Sequence, residues 1–220
     1  MTFLEMQTRV GELINQSVTD DNELVTETEV KANLNRGYQK VVNRIVSLAQ
    51  DFYVRLAKAD LVSGQTLYGL PTDFRKLIRV ELDYSGTRYM ARRVSESAYG
   101  DPGLTSVSAT TPQYSVRGNN IEINPAPSAN STSGLWMWYV ANQDDLVEDD
   151  DEPNLPFEFT DLPIEYAVAK AKARQGLIDE AQVLLGEFYR ELDEMVNNLT
   201  NTIQDDPEQV VIRDDYFLDD

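Results

Sequence analysis

The sequence predicts an α+β protein: a four-helix bundle with an antiparallel β-hairpin region inserted between its second and third helices, and an extended C-terminal tail. Three observations predict this fold. Apolar residues recur at helical spacing near both ends of the chain, they alternate with polar residues in the middle, and turn residues divide that middle into hairpins. Because amphipathic helices bury their stripes against one another, we expect residues 1–51 and 160–202 to form the bundle. Residues 52–159 are then the inserted β region.

The first two helices are predicted over residues 3–18 and 27–50, where apolar residues form continuous stripes. The second follows a capping box, because Thr26 stands three residues before Glu29. Gly37 lies inside this helix, where glycine costs about 1 kcal/mol relative to alanine. Either a close neighbouring backbone or chance accounts for it.

The β region begins with predicted strands at 52–62 and 66–70, divided by a turn at Ser63–Gly64. Two hairpins follow. The segments KLIRVELDY and TRYMARR flank Ser85–Gly86, and the segments QYSVRG and NIEINP flank Gly118-Asn119-Asn120.

A further strand, LWMWYVAN, covers residues 135–142. Successive side chains of a strand point to opposite faces, so Trp136 and Trp138 share one face and Tyr139 lies on the other. These aromatic residues are candidates for an exposed interface patch, although one face of such a strand more often belongs to the core.

Helical periodicity returns over residues 163–176 and 180–202. Pro163 suits the first turn of the third helix, Gly176 suits its end, and Asp179 is the predicted cap of the fourth. Residues 203–220 follow as an acidic tail.

Composition excludes several classes of function. The chain has neither cysteine nor histidine, so disulfides, zinc sites, Ser-His-Asp triads and Cys-His pairs cannot be built. No Gly-rich phosphate loop is present, and carboxylates are too numerous for a catalytic pair to be singled out. We therefore expect no enzymatic activity and no cofactor. No apolar run is long enough for a membrane span, and the N-terminus does not resemble a signal peptide.

The net charge of −19 is unevenly distributed. Residues 1–143 hold 15 acidic and 14 basic side chains, whereas residues 144–220 hold 23 acidic and 5 basic ones. The asymmetry bears on partners and solubility, and tight DNA binding would require the opposite sign.

Four segments, in this order and spacing, resemble the head-to-tail adaptor family of tailed phages. They are LNRGYQKVVNRI (34–45), YGLPTDFRKLIRVEL (68–82), YSVRGNNIEINPAPS (114–128) and DEPNLPFEFTDLPIEYAVAKAKARQG (151–176). The resemblance implies a structural subunit of the virion neck, made in the host cytoplasm. Its copies would form a ring under the portal, a dodecamer in the virion, which extends the DNA channel and connects capsid to tail. The implied partners are the portal protein, neighbouring subunits and the next neck or tail protein, while DNA passes through without sequence-specific binding.

Three groups of residues are candidates for these contacts. Arg88, Arg92 and Arg93 belong to the densest basic stretch and are candidates for contact between subunits; ordinary solvent-facing charge is the alternative. Asp149, Asp150 and Asp151 are candidate channel-facing residues, because acidic walls repel phosphates. The alternative is that they belong to a solvated loop. A Ca²⁺ site is disfavoured because the ligand spacing of an EF-hand is missing. The tail contains two apolar clusters that an acidic solubility segment does not need, and we predict that they dock on the portal: Val210, Val211, Ile212, Tyr216, Phe217 and Leu218.

Two other functions fit the same composition. The chain could be a tail-completion or neck subunit that binds the adaptor instead of the portal. It could also be an acidic DNA mimic that sequesters a basic protein. A mimic acts as a discrete monomer or dimer, whereas a ring subunit is found in particles.

Overall fold

The computed structural model shows a mixed α+β protein with four helices and two β-sheets. It describes residues 1–17, 24–84, 86–95 and 107–204. The chain divides into two compact units. Residues 1–49 together with the chain from 145 onward form the helical unit, and residues 50–144 form the β unit.

The helical unit contains α1, α2, α3 and α4, which span Phe3–Ile14, Glu27–Leu48, Leu162–Arg174 and Ile178–Gln204. Helix α3 contacts each of the other three, and α2 also contacts α1 and α4. Their apolar stripes meet in a core whose fully buried side chains include Phe3, Met6, Leu34, Tyr38, Ile45, Phe159 and Phe188.

The helix ends follow from local chemistry. The capping box at Thr26 and Glu29 is confirmed, and Thr2 and Glu5 form a second one at the start of α1. Helix α1 is shorter than predicted because Asn15 takes a left-handed conformation (φ 54°) and ends it.

The third helix carries its proline in the first turn, as predicted, and the left-handed Gly176 (φ 86°) follows its end. Asp179 is not the cap of α4. That helix already begins at Ile178, so Asp179 lies within its first turn, where a carboxylate is favourable to the helix dipole.

Over its described residues the β unit contains eight strands, preceded by a short 3-10 helix at Gln50–Tyr53. In the first sheet the order is β1-β8-β3-β4, all antiparallel, and in the second it is β2-β7-β6-β5 with β5 and β6 parallel. The strands β1 to β8 span Val54–Leu61, Leu67–Gly69, Phe74–Tyr84, Thr87–Met90, Arg92–Arg93, Gln113–Arg117, Asn120–Asn124 and Ser131–Ala141.

Both predicted hairpins are present, as β3–β4 and β6–β7. The predicted strand over residues 87–93, however, is divided between the two sheets. Ala91 is buried at the corner, where its N–H donates to the carbonyl of Val80 while the N–H of Arg92 donates to that of Pro112. The hydrogen bonds thus pass from one sheet to the other at this residue.

One apolar cluster joins the two sheets, and strand β8 supplies Leu135, Met137 and Tyr139 to it. Trp136 and Trp138 alternate with these residues and therefore lie on the opposite face of the first sheet. The tryptophan face is thus the outer face of the sheet. One face of this strand therefore belongs to the core, as expected, and it is the face that carries Tyr139.

Candidate interaction surfaces

The Asn-Arg-Gly-Tyr segment of α2 is packed closely against α3. A Cβ atom on Gly37 would lie 3.0 Å from the Cα and carbonyl oxygen of Pro163 and 3.1 Å from the Cβ of Tyr166. The close neighbouring backbone suggested by the sequence is therefore present, in α3. Tyr38 beside it is buried in the core, whereas Arg36 is exposed.

Asn35 attaches the chain leaving the β unit to α2. Its amide donates to the carbonyl of Leu146 at 2.9 Å, and its Oδ1 accepts from the N–H of Leu146 at 2.8 Å. One turn further on, the Gln39 amide donates to the Asp145 carboxylate at 2.8 Å. These bonds explain why residues 145–159, placed with the β region by sequence, fall in the helical unit.

The acidic run at 144–152 has a structural task as well as a charge. The carbonyls of Asp151 and Asp149 accept from the N–H groups of Phe3 and Leu4 at 2.8 and 3.0 Å, which satisfies two donors in the first turn of α1. The Asp149 carboxylate lies 3.5 Å from the Lys31 ammonium. Asp149 and Asp150 are exposed.

The Asp151 carboxylate forms hydrogen bonds within its own loop. It accepts from the N–H groups of Val147 and Glu148, and these bonds lower the pKa of Asp151. Among the three acidic residues singled out by sequence, Asp151 is therefore used to shape the loop, while Asp149 and Asp150 present charge at the surface.

A second group of carboxylates meets where α3 faces α4. Burial, and after it the nearby carboxylates of Glu191, Asp161 and Glu187, together raise the pKa of Glu165 to about 7. This side chain thus titrates near neutral pH. Within the described residues, no cluster of three or more carboxylates is arranged to hold a metal ion.

The three arginines predicted to contact another subunit do not form one patch. Arg88 lies on β4 at the edge of the first sheet, whereas Arg92 and Arg93 form β5 at the edge of the second. All three are exposed. Their contact with another subunit stays a prediction.

The outer face of the first sheet carries two stacked indoles beneath three cations. The rings of Trp136 and Trp138 are 5.8 Å apart at an interplanar angle of 29°. Lys58 lies 3.7 Å from the Trp136 ring centroid, Arg79 lies 4.0 Å from that of Trp138, and Arg88 lies 4.5 Å from that of Trp136. Two exposed apolar side chains complete this surface, which we call the tryptophan face: Leu56, Lys58, Arg79, Arg88, Met90, Trp136 and Trp138.

Sequence reasoning missed Asn35 and the cations over the indoles. Alternation alone signals which strand residues share a face, but it does not say which strands become neighbours, and Lys58 and Arg79 reach Trp136 and Trp138 only through the β1-β8-β3 order. Asn35 carried no signal beyond its place in the family-like motif.

The tail clusters Val210–Ile212 and Tyr216–Leu218 lie outside the described residues, and their docking on a portal stays a prediction. Over the part of the chain that is described, no helix combines the length and the apolar character needed to cross a bilayer.

These surfaces carry exposed cations and carboxylates and a pair of half-buried indoles. Among known protein families, the model of the SU10 adaptor protein family matches residues 1–213 of the chain. The chain belongs to the SU10 adaptor protein family. This confirms the resemblance to phage adaptors and indicates a structural, non-enzymatic role in the virion neck. No curated protein sequence matches the chain significantly.

Proposed function

We propose that the chain is a ring-forming subunit of the phage neck, which lies under the portal, extends the DNA channel and connects the capsid to the tail. Membership of the adaptor family supports the neck role. The partners in this proposal are the portal protein, neighbouring copies of the chain and the next neck or tail protein. The ring is a dodecamer, matching the portal symmetry that the family resemblance implies.

The proposal that the chain forms a ring is supported by the difference in charge between the two units. The β unit has nine acidic and nine basic residues, whereas the helical unit with the tail has 29 acidic and 10 basic ones. In a ring each subunit presents two different surfaces, one to each neighbour, and opposite charges make such surfaces complementary. Arg92 and Arg93 on the edge strand β5 are exposed cations that can face an acidic helical unit.

The acidic helical unit also suits a channel that DNA passes through. Carboxylates repel phosphates, so a wall that carries them lets the genome slide without adhering. Asp149 and Asp150 are the candidates for such a wall, because they are exposed while Asp151 is used within its loop.

The proposal is tested by adding purified chain to DNA-filled heads from particles that lack it. We expect the chain to sediment with the heads at about one dodecamer per head, since a single portal vertex offers one ring site. Isolated tails serve as the matched control. Binding to tails and not to heads would replace the proposal with the tail-completion alternative, and binding to neither would remove it.

A further inference from the structure

The tryptophan face lies on the side of the first sheet that does not supply the core of the β unit. The core of the β unit is supplied by the other side of the same sheet, where Leu135, Met137 and Tyr139 point. On the outer side, the two half-buried indoles stand beside Leu56 and Met90, which are 42% and 69% exposed. Tryptophan, methionine and arginine are the residues enriched where proteins bind one another.

The charge on this face is positive. Lys58, Arg79 and Arg88 lie over the indoles, and one carboxylate, that of Glu81, pairs with both arginines at 3.1 and 3.8 Å. An occupant that brings both apolar side chains and carboxylates would cover the rings and neutralise the cations.

The chain itself contains a segment with both properties. Residues 205–220 include seven acidic residues and one basic residue, together with the apolar clusters Val210–Ile212 and Tyr216–Leu218. Sixteen extended residues cover about 50 Å, whereas four strands side by side span about 15 Å, so the segment is long enough to cross the whole tryptophan face. Each apolar cluster is flanked by carboxylates.

We propose that in the free protein the tryptophan face binds residues 205–220 of this chain, with Tyr216 and Phe217 against the indoles and the flanking aspartates near Lys58, Arg79 and Arg88. The segment can come from the same copy or from a neighbouring one, and both give the shielding measured below. Docking on another component in the assembled neck then requires the segment to leave this face.

The chain offers its own probe for the test, because Trp136 and Trp138 are its only tryptophans. Acrylamide quenching of tryptophan fluorescence in the full-length protein therefore reports on this face alone. The test variant keeps the charge of the segment and removes its apolar side chains: Val210→Ser, Ile212→Ser, Tyr216→Ser and Phe217→Ser.

We expect the quenching constant of this variant to be at least about twofold higher than that of the wild type, because the indoles lose their cover. A synthetic peptide of residues 205–220 should restore the shielding in the variant. The restoration should weaken in about 1 M salt, where the Debye length is about 3 Å. Adding Arg79→Glu to the serine variant should weaken the shielding that the peptide restores, whereas adding Arg36→Glu, a change to an exposed cation of α2, should not.

Equal quenching in the wild type and the serine variant would overturn the proposal, as would a peptide that leaves the variant's fluorescence unchanged at saturating concentrations. If both proteins were shielded equally and dilution exposed the indoles in both, the occupant would be another surface of a second copy, and the C-terminal segment would be excluded.

Discussion

The helical unit and the β unit use charge in different ways. In the helical unit, which carries the whole net charge of −19, carboxylates also build structure: that of Asp151 shapes the loop at 145–152, and those of Asp145 and Asp149 bond to Gln39 and Lys31 of α2. In the neutral β unit, cations lie on outer faces and sheet edges, over indoles that the core does not use. Mutations in the two units should therefore have different effects. Changes in the helical unit should alter stability, and changes on the outer faces of the β unit should alter binding.

The largest effect on stability should come from Phe188, which is fully buried against Tyr166 in the helical core. Phe188→Ala should lower the free energy of unfolding by about 3–5 kcal/mol, because it removes buried contacts and leaves a cavity. Urea denaturation followed by helical circular dichroism measures it. The control is Val183→Ala in the same helix, where the side chain is 61% exposed and the change should be about 0.5 kcal/mol or less. Similar midpoints for the two variants would mean that the stripe of α4 is not buried.

Two glycines of the helical unit differ in how closely other residues approach them. Gly37→Ala should destabilise the protein by about 1–3 kcal/mol, because the new methyl group meets the backbone of Pro163. Gly186→Ala should stabilise it by up to about 1 kcal/mol, since a Cβ there has nothing within 4 Å and alanine favours the helix. The measurement is the difference in melting temperature, and a shift of the same sign in both variants would contradict the close approach of α2 and α3.

Asn35 tests whether the acidic loop is fastened to α2. Asn35→Ala removes both hydrogen bonds to Leu146 and should cost about 1–3 kcal/mol, because a partly buried N–H and carbonyl lose their partner. Amide hydrogen exchange at Leu146 should also become faster. Asn43→Ala, at an exposed position of the same helix, is the control. Unchanged exchange at Leu146 would show that the loop is held by other means.

Glu165 gives the helical unit a pH dependence of defined sign. Because its pKa is raised to about 7 in the folded protein, the native state holds a proton that the unfolded state releases, so stability falls as pH rises from about 4.5 to about 7. Glu165→Gln removes the charge and should stabilise the protein at pH 8 by about 1 kcal/mol, a small gain because solvent screens a half-exposed group. The gain should vanish near pH 4. Melting curves at both values check this, with Glu194→Gln at an exposed position as the control. A gain that is independent of pH would have another cause.

The smallest effect on stability, and a large one on assembly, is expected at the edge of the β unit. The double variant Arg92→Glu and Arg93→Glu should melt within about 0.5 kcal/mol of the wild type, because both side chains are exposed. It should impair particle completion if these arginines face an acidic neighbour. Infectious yield is the readout, and a normal yield would remove the two residues from the interface.

The helices and hairpins could be predicted because each is a local pattern. Thr26 and Glu29 mark the start of α2 through bonds three residues apart, and the turns at Gly86 and Gly118 require only nearby atoms and left-handed φ angles of 86° and 57°. Ala91 could not be predicted as a corner. The alternation of apolar and polar residues continues through Ala91. The change of sheet depends on which distant segments accept the hydrogen bonds of the Ala91 and Arg92 N–H groups.

Local sequence patterns predicted part of each candidate surface, and contacts between distant residues determined the rest. The shared face of Trp136 and Trp138 follows from a period of two residues, but its outward direction and its cations follow from the strand order. Asp151 was predicted from its charge alone, whereas its bonds to Val147 and Glu148 depend on how the loop turns.

An electron cryomicroscopy map of intact virions would show directly whether the chain forms a ring under the portal. We expect density for this chain in a closed ring in contact with the portal, with as many copies as the portal has and with the DNA path running through its centre. A map that places the chain at another level of the neck or tail, or that contains no density for it, would mean that the chain does not form this ring.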